Sequence, residues 1–584
     1  MGNYVSSFAN GAAVDAELTK VANSNLSATH KITRSATIVI AASDSSEKSK
    51  AQADYVCSGI DDQVTINAAI SALPSSGGKI VLLEGTFIKS NVEGIAIPSN
   101  TTFEMSSGTL LKFVDGITGV NPVMLSCTSV ENVSICGGVI DGNKSTSAAT
   151  GIASIGISLI DCADSKIQNV KIKDIGTTEA LSGYGIYLNA SSGNTIDACV
   201  ISGCKRESLV LFESSNFNTV LSTHSSGSDD RGFVIHRSEF NIFSGCTSDG
   251  DVNAGFDLQP YNDRQAKNNI IINNTINNTI IGIRSYGQLG AIVSNNSIST
   301  ASTAGIRCGI SGDGLTFEAN KGCVFSGNSI NNSNTGILAY SGKNLISKNV
   351  ITASTGTVTK STAGILVAGS FLTVSDNTII GGACAGITVY SPTACTDVTI
   401  INNTCVDNAS SGLLLYGNAT NVSMINNVLR NNALNGEPGF QNAITIYGTN
   451  SNIVVDGNSI TGGGETQAYV IRVHLNNTNV SIRNNNISAT GTSGIIIDAT
   501  GAAIITHNNG YVTENTGTAT ITAGQTSVNV SHGLAAAPTR VLLSPTTATA
   551  GKQYYVSAKA ATTFTITIDS AADADISFDW QAVI

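Results

Sequence analysis

The sequence predicts an all-β chain folded as a right-handed parallel β-helix, on the basis of a repeat, its alternation and its composition. Each repeat begins with Gly and alternating apolar residues and ends, after a loop, in Asn-Asn-Thr/Ser-Ile; residues 255–258 and 273–276 form one copy. Copies follow one another at a spacing of about 21 to 32 residues, within the range of solenoid proteins. One coil cannot bury its own apolar face, so the copies must stack to form a core.

Alternation within each copy predicts the cross-section of the coil. In a strand one side chain points inward and the next outward, so the Val, Ile and Leu residues predict a core enclosed by coils stacked about 4.8 Å apart. The recurring Asn predicts a corner, because Asn tolerates the left-handed backbone conformation and stacked copies can bond through their amides. The alternative solenoid is a leucine-rich repeat, but the sequence shows no regular lattice of Leu.

The composition argues against several classes of protein. Of the 584 residues 12% are charged and 5% aromatic, so helices rich in Glu, Lys and Leu are scarce, while 41% hydrophobic residues argue against disorder. A net charge of −11 provides no basic footprint, and we expect no nucleic-acid partner. No apolar run reaches the length of about 18 residues that a membrane span needs. Residues 1–5 lack the basic and apolar regions of a signal peptide, so we expect neither membrane insertion nor a leader.

Twelve cysteines occur without a Cys-x-x-Cys motif. Cys199 and Cys246 fall where later coils place a corner Asn, which predicts small buried thiols rather than a disulfide framework or a zinc site. The sequence shows no calcium-binding spacing. We therefore predict neither a metal nor a cofactor.

The chain ahead of the coils predicts a cap. Residues 1–56 are polar and lack the repeat, and a short helix is expected at 14–22. A second, amphipathic helix is expected after Asp61 or Asp62 as the N-cap. The apolar face of this helix consists of Val64, Ile66, Ala69, Ile70 and Leu73. It precedes a buried strand at 79–83, so we expect it to cover the apolar interior and strand edges of the first coil.

Beyond residue 510 the repeat stops. Short segments there alternate apolar and polar residues between turns, and they predict a small antiparallel β-domain. The expected strands are 518–522, 527–530, 540–543, 554–557, 563–567 and 576–580.

Residues 61–87, from the Asp-Asp-Gln of the helix start to the Gly-Thr-Phe after the first strand, resemble the opening of pectate-lyase-like β-helix proteins. With the coils, the resemblance covers about residues 57–510. That superfamily includes lyases, hydrolases, epimerases and non-catalytic adhesins. The resemblance therefore implies the fold rather than one activity.

The flanking segments resemble parts of bacteriophage tail proteins. Residues 8–18 with 26–28 are similar to a short virion-anchoring segment, and residues 533–539 with 578–580 are similar to β-domains that close phage and bacterial β-helix proteins. Phage tailspikes combine such an anchor, a β-helix and a C-terminal β-domain.

The tailspike resemblance implies a division of the chain into three parts. Residues 1–56 would be the virion-anchoring segment, which contacts baseplate or portal/tail proteins; residues 57–510 would be the β-helix with its capping helix. Residues 511–584 would be a C-terminal β-domain for trimerisation or receptor binding.

The same resemblance implies a homotrimer in the virion tail that binds and depolymerises host surface polysaccharide such as capsule or lipopolysaccharide. Two alternatives stay open. One is a non-catalytic adhesin or virion structural protein of this fold, and the other is a polysaccharide lyase or epimerase that has no link to a virion.

Alignment of the coils on their Gly places side chains in two outward columns. Two residues after Gly come Tyr187, Val234, Asp257, Arg284 and Arg307; four residues after Gly come Asn189, His236, Gln259, Tyr286, Tyr340, Tyr390, Tyr416 and Tyr447. Stacked tyrosines suit the C–H faces and hydroxyls of sugars. We predict substrate contacts from Tyr187, Gln259, Tyr286, Arg307, Tyr340, Tyr390, Tyr416 and Tyr447. The alternatives are burial in a trimer interface or a role in coil stacking.

The middle coils hold the candidate catalytic residues. Asp257 is predicted to be a general acid or base, Arg284 to hold a substrate carboxylate, and His236 to shuttle a proton. Asp230 and Glu207 are the further carboxyl candidates.

The chemistry of these middle coils is left open by the sequence. Glycoside hydrolysis needs two carboxyl groups about 5 to 9.5 Å apart, and coil spacing predicts more than about 10 Å between Asp230 and Asp257. A lyase site would use an Arg-rich cluster instead. A further alternative is a purely structural ion pair between Asp257 and Arg284. Glu207 and Glu213, with residues 205–206, form a second candidate set.

Overall fold

The computed structural model describes residues 36–149, 154–177, 183–260, 265–309, 320–356, 362–435, 440–463 and 467–584. Strands of each turn pair in parallel with those of the next, in a single stack of about 15 turns. Each turn contributes one strand to each of three sheets, which we call sheets 1, 2 and 3 in the order of the chain. The predicted parallel β-helix is confirmed.

Sheet 1 consists of the strands Ile95–Ala96, Val123–Thr128, Ile155–Ile160, Tyr184–Asn189, Glu207–Phe212, Arg231–His236, Ala254–Gln259, Thr335–Ala339, Ala363–Val367, Asn442–Gly448, Tyr469–Val473 and Gly494–Asp498, with the ends of Thr275–Ser285 and Ser297–Cys308 and the starts of Ala385–Ile401 and Leu413–Ile425.

Sheet 2 consists of the strands Thr37–Ala41, Gly78–Leu82, Lys166–Gln168, Thr195–Asp197, Thr219–Leu221, Ile242–Ser244, Ile270–Ile272, Ile292–Ser294, Val324–Ser326, Leu345–Ser347, Leu372–Ser375, Ser451–Asp456, Thr478–Arg483 and Ile504–Thr506, with the starts of Thr101–Phe113 and Ser134–Asp141 and the ends of Ala385–Ile401 and Leu413–Ile425.

Sheet 3 consists of the strands Gly85–Lys89, Lys171–Lys173, Val200–Ser202, His224–Ser226, Thr247–Asp249, Ser329–Asn331, Val350–Thr352, Thr378–Ile380, Thr404–Val406, Val428–Arg430, Ser459–Thr461 and Asn486–Ile487, with the ends of Thr101–Phe113 and Ser134–Asp141 and the starts of Thr275–Ser285 and Ser297–Cys308. A separate short pair joins Ala266–Lys267 to Gln288–Leu289.

The core runs the length of the stack. In Glu207–Phe212, Leu209 and Leu211 point into it, while Val210 lies on the outer face. The same apolar cluster extends without a break from Ile40 to Ile496. Burial of these aliphatic side chains between rungs is the main force that holds the coils together.

The corner between sheets 2 and 3 uses two neighbouring asparagines for two different tasks. The first, such as Asn402, has a left-handed backbone with φ of 57°. The second, Asn403, is fully buried, and its Oδ1 accepts hydrogen bonds from the backbone N–H (3.0 Å) and Nδ2 (2.9 Å) of Asn377 one rung away. The predicted ladder is confirmed, but the turn and the ladder belong to different residues of the motif.

The cysteine prediction is confirmed as well. All twelve thiols are free and buried except Cys136, which is half-buried. Cys246 takes the ladder position, and its backbone N–H donates to Asn274 Oδ1 at 2.8 Å. Burial raises the pKa of the Cys246 thiol to about 12, so it is not reactive at neutral pH.

Parallel pairing begins earlier than predicted. Thr37–Ala41 pairs with Gly78–Leu82. The strand Tyr55–Val56 pairs with the last two residues of Thr37–Ala41. Residues 37–56 therefore belong to the β-helix, because their apolar strand adds a rung below the first predicted coil. The predicted domain boundary at residue 56 therefore does not separate residues 37–56 from the β-helix. The helix expected at 14–22 lies outside the described residues.

The two described helices are Glu47–Gln52 and Asp62–Ser71. The longer one buries Ile66, Ala69 and Ile70 against the first turns, as predicted. Val64 is 65% exposed and does not belong to the apolar face, since residues two apart on a helix do not share a side. Neither described helix is long and apolar enough to cross a membrane.

Asp62 is buried for a reason that the sequence does not show. Its two carboxylate oxygens accept hydrogen bonds from the backbone N–H groups of Gly59 and Ile88, each at 2.8 Å. The residue thereby ties the helix start to the strand Gly85–Lys89.

The C-terminal domain forms two three-stranded antiparallel sheets. One contains Glu514–Ile521, Arg540–Pro545 and Ile576–Val583; the other contains Ser527–Ser531, Tyr554–Lys559 and Thr563–Ile568. Its own core is built around Phe564, Phe578 and Trp580. The predicted small β-domain is confirmed.

Candidate functional site

The outer face of sheet 1 carries the polar and aromatic side chains that the sequence brings together. Three outward columns run along it. The first column holds the residue directly before the repeat Gly, the second the residue two after Gly, and the third the residue four after Gly. Successive strands are paired in register, so one column neighbour lies about 4.8 Å from the next.

The predicted register of the second and third columns is confirmed. Asp257 pairs with Arg284, and Arg284 pairs with Arg307 on the following rung. In the third column His236 pairs with Gln259. Tyr390, Tyr416 and Tyr447 follow one another on three successive rungs of the same column.

Asp257 is the centre of what we call the ionic cluster, which comprises Arg206, Glu207, Asp230, Arg231, Asp257 and Arg284. The Asp257 carboxylate is fully buried. Arg284 donates to both of its oxygens, with Nε at 2.9 Å from Oδ1, and Arg231 Nε lies 2.8 Å from Oδ2. Gln259 Nε2 donates to the same Oδ2 at 2.5 Å. Burial of the Arg284 guanidinium by itself would lower its pKa, but the charge of Asp257 outweighs this effect and raises the pKa.

Arg231 brings the carboxylates of the cluster closer together than the sequence predicts. Its NH1 lies 2.9 Å from Glu207 Oε1 and 3.3 Å from Asp230 Oδ2, while its Nε contacts Asp257. These nitrogens belong to one planar guanidinium, so Glu207 and Asp257 are roughly 8 Å apart or less. Asp230 also lies within about 10 Å of Asp257. The expected larger separation is wrong, because the turn before the strand folds Asp230 back onto Arg231.

Glu207 is the carboxyl group with the most perturbed environment in the cluster. Only 1% of the residue is exposed, and Arg206 Nε approaches Oε2 at 3.2 Å. Burial raises the pKa of Glu207 to about 7, although Arg206 and Arg231 oppose the shift. The carboxyl group therefore retains a proton over part of the neutral range, as a general acid must.

His236 lies beside the cluster on the third column. Its ring packs edge-on against Phe212, with 5.8 Å between ring centroids. Burial lowers the pKa of His236 to about 4, and the charge of Asp257 only partly opposes this. At neutral pH the imidazole is therefore neutral and cannot serve as the proton donor half of the predicted shuttle.

The first column was missed by the sequence analysis, although the signal was present. It holds Tyr184, Glu207 and Arg231 on successive rungs. The Arg206 guanidinium lies 5.4 Å from the centre of the Tyr184 ring, and the ring of Tyr187 lies 5.2 Å from that of Tyr184. Period-2 alternation places the residue before Gly on the same face as the residue two after it.

The second candidate set separates into two pairs outside the cluster. Glu213 lies 3.8 Å from Arg237 and is 38% exposed on its side chain, and Lys205 Nζ donates to Asp229 at 2.7 Å. Of this set, Glu207 and Arg206 belong to the ionic cluster.

The tyrosine strip, which we define as Tyr390, Tyr416 and Tyr447 with Phe440, lies farther along the same face. The rings of Tyr390 and Tyr416 stack at 5.9 Å, and those of Tyr416 and Tyr447 stack at 5.0 Å with planes 6° apart. Phe440 packs against both of the last two rings, at 6.0 and 5.6 Å. The three tyrosines are half-buried, so their outer surfaces form a rigid aromatic band.

An apolar cluster lies on the face between Arg307 and the tyrosine strip. Leu338 and Leu366 form a small outer cluster, against which Tyr340 and Tyr390 pack. A cavity of about 300 Å³ borders Tyr340, Lys343 and Phe371. A second cavity, of about 380 Å³, borders Tyr447, Arg472 and His474 at the far end. Both cavities open beside the third column.

The residues that the structure describes contain no group of three or more His, Cys, Asp or Glu side chains arranged to hold a metal ion. Residues 263 and 264, which the sequence places next to the candidate site, lie outside the described residues.

Comparison with known proteins places the coils in a family. The sequence matches the family described as right handed beta helix region over residues 128–298 and 282–460, which together span more than half of the chain. No curated protein matches the sequence.

Several solved structures have a similar fold. The A-module of mannuronan C-5 epimerase AlgE6 from Azotobacter vinelandii is 14% identical, with 75% of this chain and 96% of that chain covered and a TM-score of 0.32. A mutant tailspike protein of E. coli bacteriophage HK620, in complex with pentasaccharide, is 12% identical, with 90% of each chain covered and a TM-score of 0.40. The N-terminal fragment of bacteriophage Phi29 gene product 12 is 14% identical, with coverages of 78% and 90% and a TM-score of 0.46.

Proposed function

Because the chain belongs to the right handed beta helix family, whose fold serves many activities, we propose its function from the side chains of sheet 1. The protein binds an extended polysaccharide along the outer face of this sheet. It does so as a tailspike in a phage virion, where the bound polymer is a host capsule or lipopolysaccharide.

The observation that carries this proposal is the tyrosine strip. Its rings repeat near the rung spacing, have nearly parallel planes and are held from the side by Phe440. Rings stacked in this way present their edges and hydroxyls to the solvent, and the hydroxyls can exchange hydrogen bonds with sugar hydroxyls. Because its three tyrosines lie on strands rather than on loops, they are positioned before the ligand arrives, which reduces the entropic cost of binding.

The wider proposal includes assembly and attachment. Residues 1–35, the part of the predicted anchor (1–56) that precedes the first described strand, join the protein to baseplate or portal/tail proteins of the virion, and three copies form a homotrimer. The resemblance of residues 8–18 with 26–28 to a virion-anchoring segment motivates this part of the proposal. Deletion of residues 1–35, which leaves the first described strand intact, tests the attachment.

Replacement of Tyr416 by alanine is expected to weaken polysaccharide binding by about 10- to 100-fold, because it removes the middle ring of the strip and loosens both neighbours. Binding of the full chain to purified capsular polysaccharides and O-antigens by biolayer interferometry provides the measurement. Tyr555→Ala is the matched control, since Tyr555 is 54% exposed on the C-terminal domain.

Equal affinity of the wild-type and Tyr416→Ala proteins for every polymer that the wild-type binds would contradict the proposal. If Tyr416→Ala instead changes the sedimentation coefficient of the native assembly, the strip belongs to a trimer interface, which was the alternative role for these rings.

A second candidate function, depolymerisation, is favoured by the ionic cluster. Glu207 and Asp257 both contact Arg231 and are roughly 8 Å apart or less, which is below the upper limit of about 9.5 Å for the two carboxyl groups of a glycosidase. Their environments differ: burial keeps a proton on Glu207, whereas two guanidinium groups hold Asp257. A carboxyl group that keeps its proton suits the acid of such a reaction. Both carboxyl groups are buried, so substrate reaches them only after the covering arginines move.

If Glu207 is the acid of such a reaction, Glu207→Gln is expected to lower the release of new reducing ends by at least about 100-fold while binding persists. The wild-type rate should be constant below pH about 7 and fall as the pH rises above it, because the raised pKa of Glu207 marks the loss of the proton. The matched control is Glu213→Gln. Wild-type protein that binds a polymer but releases neither reducing ends nor unsaturated uronate would be an adhesin.

A further inference from the structure

We propose that Arg307 is the receptor for an anionic group of the bound polysaccharide, and that the ligand of this protein is therefore an acidic polymer. This inference rests on the proposed function and specifies its substrate class.

Arg307 is flanked by two aromatic rings, but its buried Nε has no hydrogen-bond acceptor in the described part of the chain. Its guanidinium lies 5.8 Å from the centre of the Tyr286 ring and 5.6 Å from that of Tyr340. The Nε atom is buried and has no hydrogen-bond acceptor, and no carboxylate of the described residues pairs with this arginine. A buried donor without an acceptor lowers stability. An anion supplied from outside would satisfy it.

The neighbouring Arg284 differs from Arg307 because a carboxylate of the protein accepts its hydrogen bonds. Arg284 occupies the same column one rung earlier, and its Nε and NH2 both donate to Asp257. The Nε and NH2 edge of Arg284 is therefore occupied, and the role of binding a substrate carboxylate, which the sequence assigned to Arg284, passes to Arg307. The two tyrosines on either side hold the Arg307 plane in place without neutralising it.

The charge of the surroundings supports an anionic ligand. Among the described residues of this part of the face, Arg206, Arg231, Arg284 and Arg307 outnumber the carboxylates of Glu207, Asp230 and Asp257. The protein as a whole carries a net charge of −11. A local excess of positive charge on an acidic protein concentrates the field where the ligand binds.

The path toward the tyrosine strip continues this arrangement. Lys343 borders the cavity that opens beside Tyr340, and its Nζ lies 5.7 Å from the centre of the Phe371 ring. Six rungs after Arg307 in the same column comes Arg472, which lies 5.9 Å from the Tyr469 ring centre. An acidic polymer laid along the face meets cations at both ends of the apolar and aromatic stretch.

The test combines a change in the protein with a change in the polymer. Purified acidic and neutral capsular polysaccharides and O-antigens are screened against the full wild-type chain, and the tightest binder is carried forward. Its carboxyl groups are reduced to alcohols with carbodiimide and borohydride, and in a parallel sample its phosphates are removed with aqueous hydrogen fluoride. Affinities of wild-type and Arg307→Gln are then measured for the native and the treated polymers.

We expect wild-type protein to bind the native polymer about 10- to 100-fold more tightly than one of the treated polymers, and the treatment that weakens binding identifies the anionic group. Arg307→Gln should bind native and treated polymer equally. Arg430→Gln is the charge-matched control, because Arg430 is exposed on sheet 3, away from this face. It should keep the wild-type discrimination.

A neutral polymer as the tightest binder would overturn the inference and leave the proposed function intact. So would an Arg307→Gln protein that still discriminates between the native and the treated polymer. If wild-type protein binds no polysaccharide at all, the proposed function fails, and this inference fails with it.

Discussion

Replacement of Asn403 by leucine is expected to lower the free energy of unfolding by about 3 to 6 kcal/mol, because it removes one rung of the asparagine ladder. The Asn403 amide accepts two hydrogen bonds from Asn377 and donates to Val374 O at 2.9 Å and to Asn427 Oδ1 at 3.1 Å. Leucine fills a similar volume but leaves these buried groups without partners. Urea unfolding followed by far-ultraviolet circular dichroism provides the measurement.

The neighbouring residue supplies the control. Asn402 has a left-handed backbone with φ of 57°, and glycines occupy the same corner in other turns, at Gly327 with φ of 65° and Gly457 with φ of 68°. Asn402→Gly should therefore change the free energy of unfolding by less than about 0.5 kcal/mol. Equal destabilisation by Asn402→Gly and Asn403→Leu would show that the ladder contributes no more than the turn.

Removal of the Asp257 carboxylate is expected to be almost as damaging. Asp257→Val leaves Arg284 without its bidentate partner in a buried setting, which should lower the free energy of unfolding by about 3 to 5 kcal/mol. The double variant Asp257→Val/Arg284→Leu should recover most of that loss, since a buried ion pair replaced by apolar groups costs little. Val234 and Leu338 already show that aliphatic side chains fit this column.

An exposed pair of the same geometry provides the comparison. Asp456 and Arg483 are also partners on successive rungs, with Oδ2 and Nε 2.9 Å apart, but the arginine side chain is 48% exposed. Asp456→Val should lower the free energy of unfolding by less than about 1 kcal/mol, because water already screens this pair. A double variant no more stable than Asp257→Val alone would mean that Asp257 acts mainly through Arg231 rather than Arg284.

The sequence predicted the fold because its repeat encodes the fold locally. The alternation that buries Leu209 and Leu211, the left-handed position at Asn402 and the buried amide at Asn403 each recur within one coil, so each copy gives the same information again. The first rung was missed because residues 37–56 add a strand without the Asn-Asn signature. Only parallel pairing with Gly78–Leu82 reveals it.

The site was predicted in its columns but not in its contacts. Register alone places Asp257, Arg284 and Arg307 on one line. Which arginine is neutralised depends on side-chain direction and on how the turn before Arg231 folds, and neither follows from coil spacing. Burial decides the rest: the protonation of Glu207 and the neutrality of His236 are set by solvent exclusion, which a sequence alignment of the coils cannot measure.

The direction of the backbone hydrogen bonds determines how the molecule responds to force. They run from rung to rung, along the long axis of the stack, in all three sheets. Tension along this axis therefore loads all the hydrogen bonds between two neighbouring turns at once. Peeling the chain away from a free end instead breaks these hydrogen bonds one after another. The helix Asp62–Ser71 at one end and the β-domain from Glu514 at the other follow directly on the outermost coils. Resistance to unwinding is thus decided at the ends of the rod rather than along its length.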